Sequence, residues 1–373
     1  MELVRGWKQG RCTRWRVKLK KALTVKEIAA RAGVSVGTVS HVLNNPDKVR
    51  ETRRQRVEKV IQKFGYQPSR LARGLRLKTT DLLGVIIPDI TNPFFPSIVR
   101  GAEDVAFREG FRLVLCNADN DPAKERIYFK DLRTFQPAGL IIIPSLESML
   151  QKEIQESNLP IVIVDRRPKW WTGDAVVANN EKGGHSVGEH LVGMGHRVLA
   201  AIAGPSKISS AYERMQGFRR ALGAAGIRLE REYIRQVPFT SEAGFGAAMD
   251  LLRLDPRPTA IFASSDLLAS GVLAAAHKCR LRCPEDVSIV GFDDLDFASL
   301  SEPSLTTVYQ PGYQMGATAC TLLLARVRGS LAPPEQLVLD TELRERKSVR
   351  ALDAVVLLRK SRGRKRSHHS VSK

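Results

Sequence analysis

The chain has 373 residues, too many for one ordinary hydrophobic core, so two or three compact units joined by linkers are expected. Hydrophobic residues make up 43% of it, yet no apolar run approaches the roughly 20 residues of a bilayer span, and the arginine-rich start lacks the apolar core of an export signal. These features exclude a membrane-spanning or exported class and lead to a cytoplasmic expectation.

Five scattered cysteines (Cys12, Cys116, Cys279, Cys283, Cys320) argue against a disulfide framework. Cys279 and Cys283 are half a metal clip with no second Cys/His pair nearby in sequence, so no metal is expected. The net charge of +20 sits at the ends. Residues 1–80 hold 21 Lys/Arg against 5 Asp/Glu, residues 81–343 hold 27 against 32, and residues 344–373 hold 11 against 2. A mildly acidic middle with two cationic ends suits a partner that is a polyanion, either nucleic acid or a membrane surface.

Residues 1–21 form a basic arm without a helical apolar period, expected to be disordered. Thr24 and Glu27 have the spacing of a capping box, and Val25, Ile28 and Ala29 form the apolar stripe of the helix it starts. Gly33 ends that helix, and Ser35 caps a second one through Val36, Gly37, Thr38, Val39, Ser40, His41, Val42 and Leu43 to Asn44. A third helix, Glu51 to Phe64, turns Val57, Val60, Ile61 and Phe64 toward the first two. Two short helices on a tight turn, braced by a third, make a helix-turn-helix. The second helix would enter the major groove with Val36, Gly37, Ser40 and His41 as readers; the alternative is a three-helix bundle that binds nothing. Ser69 caps a further short, positive helix containing Arg70, Arg73, Leu75 and Arg76, too small to be stable alone.

At this point a resemblance becomes specific. The run Thr24 to Ser35, then Thr38 to Asn44, then Tyr66, Pro68, Ala72, Arg73 and Leu75, resembles the DNA-binding head and hinge of the LacI/GalR (lactose-repressor) family of transcriptional regulators. The resemblance implies DNA contacts at Thr24, Ser35, Val36, Gly37, Thr38, Ser40, His41, Asn44, Arg73 and Leu75. It makes Leu75 an apolar wedge in the minor groove, able to kink the operator at its centre.

From Leu82 the pattern changes to short apolar strands alternating with amphipathic helices: Leu82 to Pro88, Phe111 to Asn117, Gly139 to Pro144, Ile161 to Asp165, Leu199 to Ala203, Ala260 to Ala263 and Val287 to Phe292. Nearly continuous apolar runs suit strands buried on both faces, hence an α/β unit with parallel sheets and helices on both faces. Ligands of such folds sit beyond strand C-termini, where Asp89, Phe94, Phe95, Asn117, Asp119, Asp165, Arg166, Ser265, Asp266, Asp293 and Asp294 fall. Phe94 and Phe95 suit a sugar or base face, and the carboxylates with Arg214 suit hydroxyls.

The stretches Leu83 to Asp89, Asn117 to Pro122, His190 to Arg197, Glu213 to Phe218, Pro284 to Asp294 and Leu305 to Gln310 extend the resemblance to the family's effector domain, which is similar to periplasmic sugar-binding proteins. The implied organisation is an arm (1–21), a helix-turn-helix domain (22–67), a hinge helix and linker (68–78), an effector-binding and dimerisation domain (79–343) and a basic tail (344–373). Its lobe 1 spans about 81–179 and 309–330, and its lobe 2 about 180–308 and 331–343. The implied effector residues are Phe94, Phe95, Asp165, Arg214, Ser265, Asp293 and Gln310. The helix from Phe95 to Glu109 is implied at a homodimer interface. Two departures, Ser265-Asp266 where relatives have Asn-Asp and Asn179-Asn180 where Asp-Asn is common, point away from a plain hexose or pentose.

The expected function is therefore a sequence-specific regulator, a repressor, acting on a near-palindromic double-stranded operator. Its effector would be a sugar or sugar derivative, with a nucleobase second. A periplasmic-type solute-binding or sensing protein without operator specificity is the alternative, although residues 24–77 have no use there. No catalytic residue, cofactor or membrane partner is expected: Gly-x-Ser-x-Gly, Walker and His-Glu-x-x-His motifs are lacking. His185, His190 and His196, five and six residues apart, fall on different helical faces. Asp293 and Asp294, neighbours at a strand end, are expected to split between ligand and structure. The tail, with Arg359, Lys360, Arg362, Arg364, Lys365 and Arg366, would add nonspecific phosphate affinity; the alternative is a solvated disordered tail.

Overall fold

The computed structural model describes residues 23–66, 80–145 and 150–352. The arm, the hinge with Arg73 and Leu75, and residues 353–373 lie outside the described residues. The chain divides into two units at Lys78/Thr79.

The first unit has α1 (Val25–Ala32), α2 (Val36–Asn44), a 3-10 turn (Pro46–Lys48) and α3 (Glu51–Phe64). The Thr24 hydroxyl accepts from the Glu27 amide while the Glu27 carboxylate accepts from the Thr24 amide at 2.6 Å, closing the capping box. Gly33, at φ 62°, takes the left-handed conformation that ends α1 and aims α2. Ile28, Ala29, Ala32, Val39, Val42 and Val57 form the core, with Val60 and Ile61 at its edge. Phe64 differs from expectation: it is 43% exposed and contributes its ring face to the Arg31 guanidinium, 4.4 Å away.

The second unit contains β1 (Leu82–Ile87), α4 (Phe94–Arg108), β2 (Arg112–Asn117), α5 (Pro122–Thr134), β3 (Gly139–Ile142), α6 (Gln151–Gln155), β4 (Ile161–Val164) and β5 (Ala175–Ala178). It continues with α7 (Asn180–Gly193), β6 (Leu199–Ala203), α8 (Ser209–Ala224), β7 (Ile234–Gln236), α9 (Ser241–Leu251), β8 (Ala260–Ala263), α10 (Asp266–Lys278) and β9 (Ser288–Val290). The last elements are α11 (Asp296–Leu300), β10 (Thr307–Tyr309), α12 (Gly312–Val327), β11 (Gln336–Leu339) and β12 (Glu342–Arg344). Two parallel sheets result, ordered β11-β5-β4-β3-β1-β2 and β7-β6-β8-β9, with a small antiparallel β10-β12 pair. Each carries apolar clusters on both faces, as its Val- and Ile-rich strands require. Among the described residues no helix is long and apolar enough to cross a membrane.

The chain passes between the sheets at 179–180, at 310–311 and at 340–341. The third passage corrects the expected lobe boundary near 330, because β11 pairs with β5 and so belongs to lobe 1. Arg326, at the end of α12, is the cause. Its guanidinium grips both carboxylate oxygens of Asp174 (2.7 and 2.9 Å) and the Pro333 carbonyl (2.8 Å), which lays the following residues beside β5. The boundary at 343 is also corrected. The buried Ser348 hydroxyl donates to the Ile289 carbonyl (2.6 Å) and accepts from the Thr306 amide (2.8 Å), and the Leu352 amide reaches Met194. Lobe 2 thus runs to at least 352, and the described part of the expected basic tail is folded.

Helices α7 and α8 cross closely enough that backbone touches backbone. A Cβ on Gly217 would lie 1.9 Å from the Glu181 carbonyl oxygen, and one on Gly184 would lie 2.0 Å from that of Arg214. Gly217→Val is expected to lower the unfolding free energy by at least about 2 kcal/mol, measured as a lower denaturant midpoint with unchanged slope.

Candidate functional site

Helix α2 has two faces. Val39 and Val42 face the core, whereas Val36, Gly37 and His41 are exposed and Thr38 and Ser40 half-exposed. The four expected readers, Val36, Gly37, Ser40 and His41, therefore share the outward face, and Asn44 is the last residue of α2. Thr24 and Ser35 are occupied as helix caps. The Ser35 hydroxyl accepts from the Thr38 amide at 3.1 Å and lies 3.0 Å from the Thr38 hydroxyl.

In the second unit the strand ends of both sheets converge on one cleft, lined by Asn92, Phe94, Phe95, Asp165, Arg214 and Asp293 among others. Phe94 and Phe95, at the start of α4, meet edge to face with centroids 5.6 Å apart. Asp165 follows β4 and Asp293 follows β9, at φ 63° and 117°, backbone angles that few non-glycine residues adopt. The turn at each strand end aims a carboxylate into the cleft from its own lobe.

Arg214 is buried in the first turns of α8. Its Nε donates to Asn180 Oδ1 (2.9 Å), and its Nη1 donates to the Ser264 carbonyl (2.6 Å) and to Asp293 Oδ1 (3.2 Å). Its guanidinium lies 3.9 Å from the Phe292 ring centroid. Gln310 Nε2 donates to the same Asp293 oxygen at 2.6 Å. Asn180 and Gln310 stand at the first and second passages between lobes, so the ion pair is bonded to both.

Burial pushes the Asp293 carboxyl up to about 6, against the pull of Arg214, with Asp165 pushing further. Burial likewise raises Asp165, opposed by Arg166 and Arg214. Arg166 leans over Phe95, 5.2 Å from the ring centroid, and donates to Asn120 Oδ1 (3.2 Å) and the Pro144 carbonyl (3.3 Å). Behind it Glu125, fully buried, accepts from the Ser145 amide (2.8 Å), and burial raises its carboxyl to about 7. Asp165 Oδ1, Gln310 Oε1, Glu125 Oε2 and Arg166 Nε are buried without a hydrogen-bond partner.

Six of the seven expected effector residues, Phe94, Phe95, Asp165, Arg214, Ser265 and Asp293, line the space itself. Gln310 lies behind Asp293. Ser265 contributes surface, but its hydroxyl caps α10 by accepting from the Leu268 amide at 3.2 Å. Its neighbour Asp266 is structural, bonded to the Thr307 hydroxyl (2.6 Å) and the Leu295 amide (2.8 Å). Asp293 and Asp294 diverge: Asp294 pairs with Arg346 at 2.6 Å. The three histidines have separate partners, Glu189 for His185, Glu345 for His190, and Thr259 with the Arg350 carbonyl for His196.

Phe239 and Ser210 also line the cleft and escaped the reading of the sequence. Phe239 follows β7, a three-residue strand too short to show as an apolar run. The rule about strand ends would have found it had β7 been seen.

A helix-turn-helix unit and a two-lobed α/β unit with a polar, aromatic-walled cleft define a metabolite-controlled transcriptional regulator. Residues 24–69 match the family model of bacterial regulatory proteins, lacI family, and residues 189–349 match that of the periplasmic binding protein-like domain. The chain is 33% identical over 332 residues to the HTH-type transcriptional repressor PurR of Photobacterium profundum, covering 88% of this chain and 99% of that one. Among solved structures it is similar to the lac repressor dimer bound to operator and the anti-inducer ONPF (TM-score 0.79, 28% identity, 89% of this chain and 100% of that one). It is also similar to a complex of the transcriptional regulator CelR with cellobiose (TM-score 0.68, 31% identity, 87% and 99%). The chain belongs to the LacI family: it is a DNA-binding transcriptional repressor controlled by a small-molecule effector, not an enzyme.

Arg214→Met would strand Asp293 in the interior. The variant is expected to lose about 3 kcal/mol of stability at pH 8 in denaturant titrations, and its DNA binding should no longer respond to effector. Glu125 supplies a pH signature. Its folded value, about 7, exceeds the ordinary 4.5, so its contribution is present below about 4.5 and lost as pH rises through 7. His196, held down to about 4 by burial, works oppositely, losing stability as pH falls from 6.5. Comparing Glu125→Gln with the wild type cancels the histidine: between pH 5 and 8 the variant should gain about 3 kcal/mol relative to the parent.

Proposed function

We propose that the chain is a homodimeric repressor that sets two α2 helices into successive major grooves of a near-palindromic operator and releases or tightens its grip when a carbohydrate-type effector changes the angle between its lobes. The observation that carries this reading is the cleft itself: aromatic rings on one wall, a carboxylate from each lobe, and an unfilled acceptor position on Asp165, beside a buried arginine. A polyhydroxylated molecule supplies donors to Asp165 and stacks a face on Phe94 or Phe95. The CelR–cellobiose complex supports this assignment.

Ligand closure acts through the passages at 179–180, 310–311 and 340–341, since Asn180 and Gln310 bond directly to the Arg214–Asp293 pair. Dimerisation through lobe 1 is supported by β2, an edge strand of the six-stranded sheet with Leu115 exposed, and by Phe107, 60% exposed on α4. The lac repressor dimer supports the same assembly. On DNA, Leu75 and Arg73 would serve the minor groove, and Ser40 and His41 the base edges, because Gly37 has no side chain and Val36 only methyl groups. A cytoplasmic repressor of this kind would reside on the nucleoid.

Sequencing of genomic fragments retained by the full-length protein at near-physiological salt tests the reading, since such salt suppresses the nonspecific pull of the basic ends. A few enriched two-fold-symmetric sites are expected, and featureless retention would contradict operator specificity. On the best site, His41→Ala should cost about 1–3 kcal/mol of binding while leaving nonspecific affinity unchanged.

A further inference from the structure

The strands of the two larger sheets all run parallel and point their C-terminal ends at the cleft, so each lobe has an outer end where its strands begin. The chain enters the effector unit at the outer end of lobe 1, where Thr80 and Asp81 lead into β1. It leaves at the outer end of lobe 2, where the Leu352 amide donates to the Met194 carbonyl (2.8 Å) shortly before β6. The two cationic ends of the chain are therefore attached at opposite ends of this unit.

The outer end of lobe 2 is itself cationic, although residues 81–343 as a whole are acidic. Arg197, Arg219, Arg228, Arg231 and Arg350 are exposed there, and among the described residues the guanidiniums of Arg219, Arg231 and Arg350 have no ion-pair partner. Arg228 meets Glu230 at 3.4 Å with both side chains more than half exposed, a pairing that solvent screens. Of the other acids nearby, Asp286 is engaged by Arg282. Arg219 and Arg228 flank an open groove of about 400 Å3 beside the C-terminal end of α8. Ile227 and Leu229, half-buried against the core of lobe 2, line it, and Gly223 and Gly226 leave its backbone bare, since a Cβ on either would meet nothing within 4 Å.

A trough with two guanidinium walls and no roof does not enclose a small molecule, but it admits a strand of a polyanion. Guanidinium forks take phosphate oxygens in pairs, and the apolar lining accepts the carbon face of a sugar between two phosphates. Like charge excludes the basic tail as the occupant; leaving the lobe at this same end, the tail adds to the attraction for a polyanion. A repressor already held on DNA by its head meets neighbouring duplex at high local concentration, which favours DNA over other polyanions. We infer that the outer end of lobe 2 is a second DNA-binding surface, which grips the phosphates of a duplex other than the operator without reading its sequence, so that one repressor ties two segments of DNA together.

A bridging assay tests this. Full-length protein is loaded on an immobilised random-sequence duplex, and a second, fluorescent duplex of unrelated sequence is offered at near-physiological salt. The wild type should capture the second duplex, and capture should fall steeply as salt rises. The double variant Arg219→Glu, Arg228→Glu should capture about tenfold less, while its own retention on the first duplex stays within about twofold and its melting temperature is unchanged. Arg219→Lys with Arg228→Lys, which keeps both charges, should retain most of the capture. Equal capture by the wild type and the charge-reversed variant would place the second duplex on the heads or the tail and overturn the inference. So would a wild type that captures no second duplex, and binding of phosphatidylserine vesicles in its stead would assign this end of lobe 2 to a lipid surface.

Discussion

Burying the Arg214 guanidinium against the Asp293 carboxylate is the constraint around which the effector unit is arranged. A buried ion pair contributes little net stability, because desolvating two charges offsets most of their attraction. What it imposes is geometry. Once both charges are enclosed, every remaining donor and acceptor needs a partner, and the partners here are Asn180, the Ser264 carbonyl and Gln310. Two of these three stand where the chain passes between lobes. The cleft chemistry and the hinge are therefore one hydrogen-bonded network, and a ligand that alters one must strain the other.

The backbone of α8 is placed to make this possible. Its approach to α7 is close enough to require hydrogen in place of a side chain at Gly184 and Gly217, which sets Arg214 deep in lobe 2 with its head toward the cleft. On the other side, Leu295 from the loop after β9 packs into the lobe 1 cluster with Phe94 and Phe95. Apolar contact thus closes one flank of the cleft and polar groups face the other. Asp165 and Asp293 are buried and Glu125 fully so, and that burial raises each of their carboxyls. An effector entering this space meets groups whose hydrogen bonds are strengthened by low polarity and whose unmet valences are costly to leave empty.

The DNA-binding unit follows a separate logic. It is small, its core is six buried aliphatic side chains, and its helix starts rest on local caps at Thr24 and Ser35. Thr24 and Ser35 are committed to capping, and the proposed readers lie instead on the outward face of α2. A glycine and a valine are among its exposed positions, so that face offers few polar groups.

Local rules were enough for the head: caps, a left-handed glycine and a 3.6-residue apolar period act within a few residues, and α1, α2 and α3 stand where those signals put them. Six of the seven apolar runs are buried parallel strands, whereas the run at Phe111 to Asn117 is the largely unburied edge strand β2 and the parallel strands β5 and β11 were not legible as runs; the rule that ligands lie past strand ends located Phe94, Phe95, Asp165 and Asp293. Contacts made across great sequence distance decided the rest. Arg326 meeting Asp174 carries β11 into lobe 1, Ser348 meeting Ile289 extends lobe 2 to 352, and a three-residue β7 delivers Phe239. None of these leaves a periodic trace, because each depends on one side chain finding a partner that only the completed fold brings within reach. The sequence alone determined the helices of the head, most of the buried strands and the class of protein they make; the tertiary structure decided where the remaining strands pair, which polar atoms are satisfied, and how the cleft is joined to the passages between lobes, because these depend on partners distant in the chain.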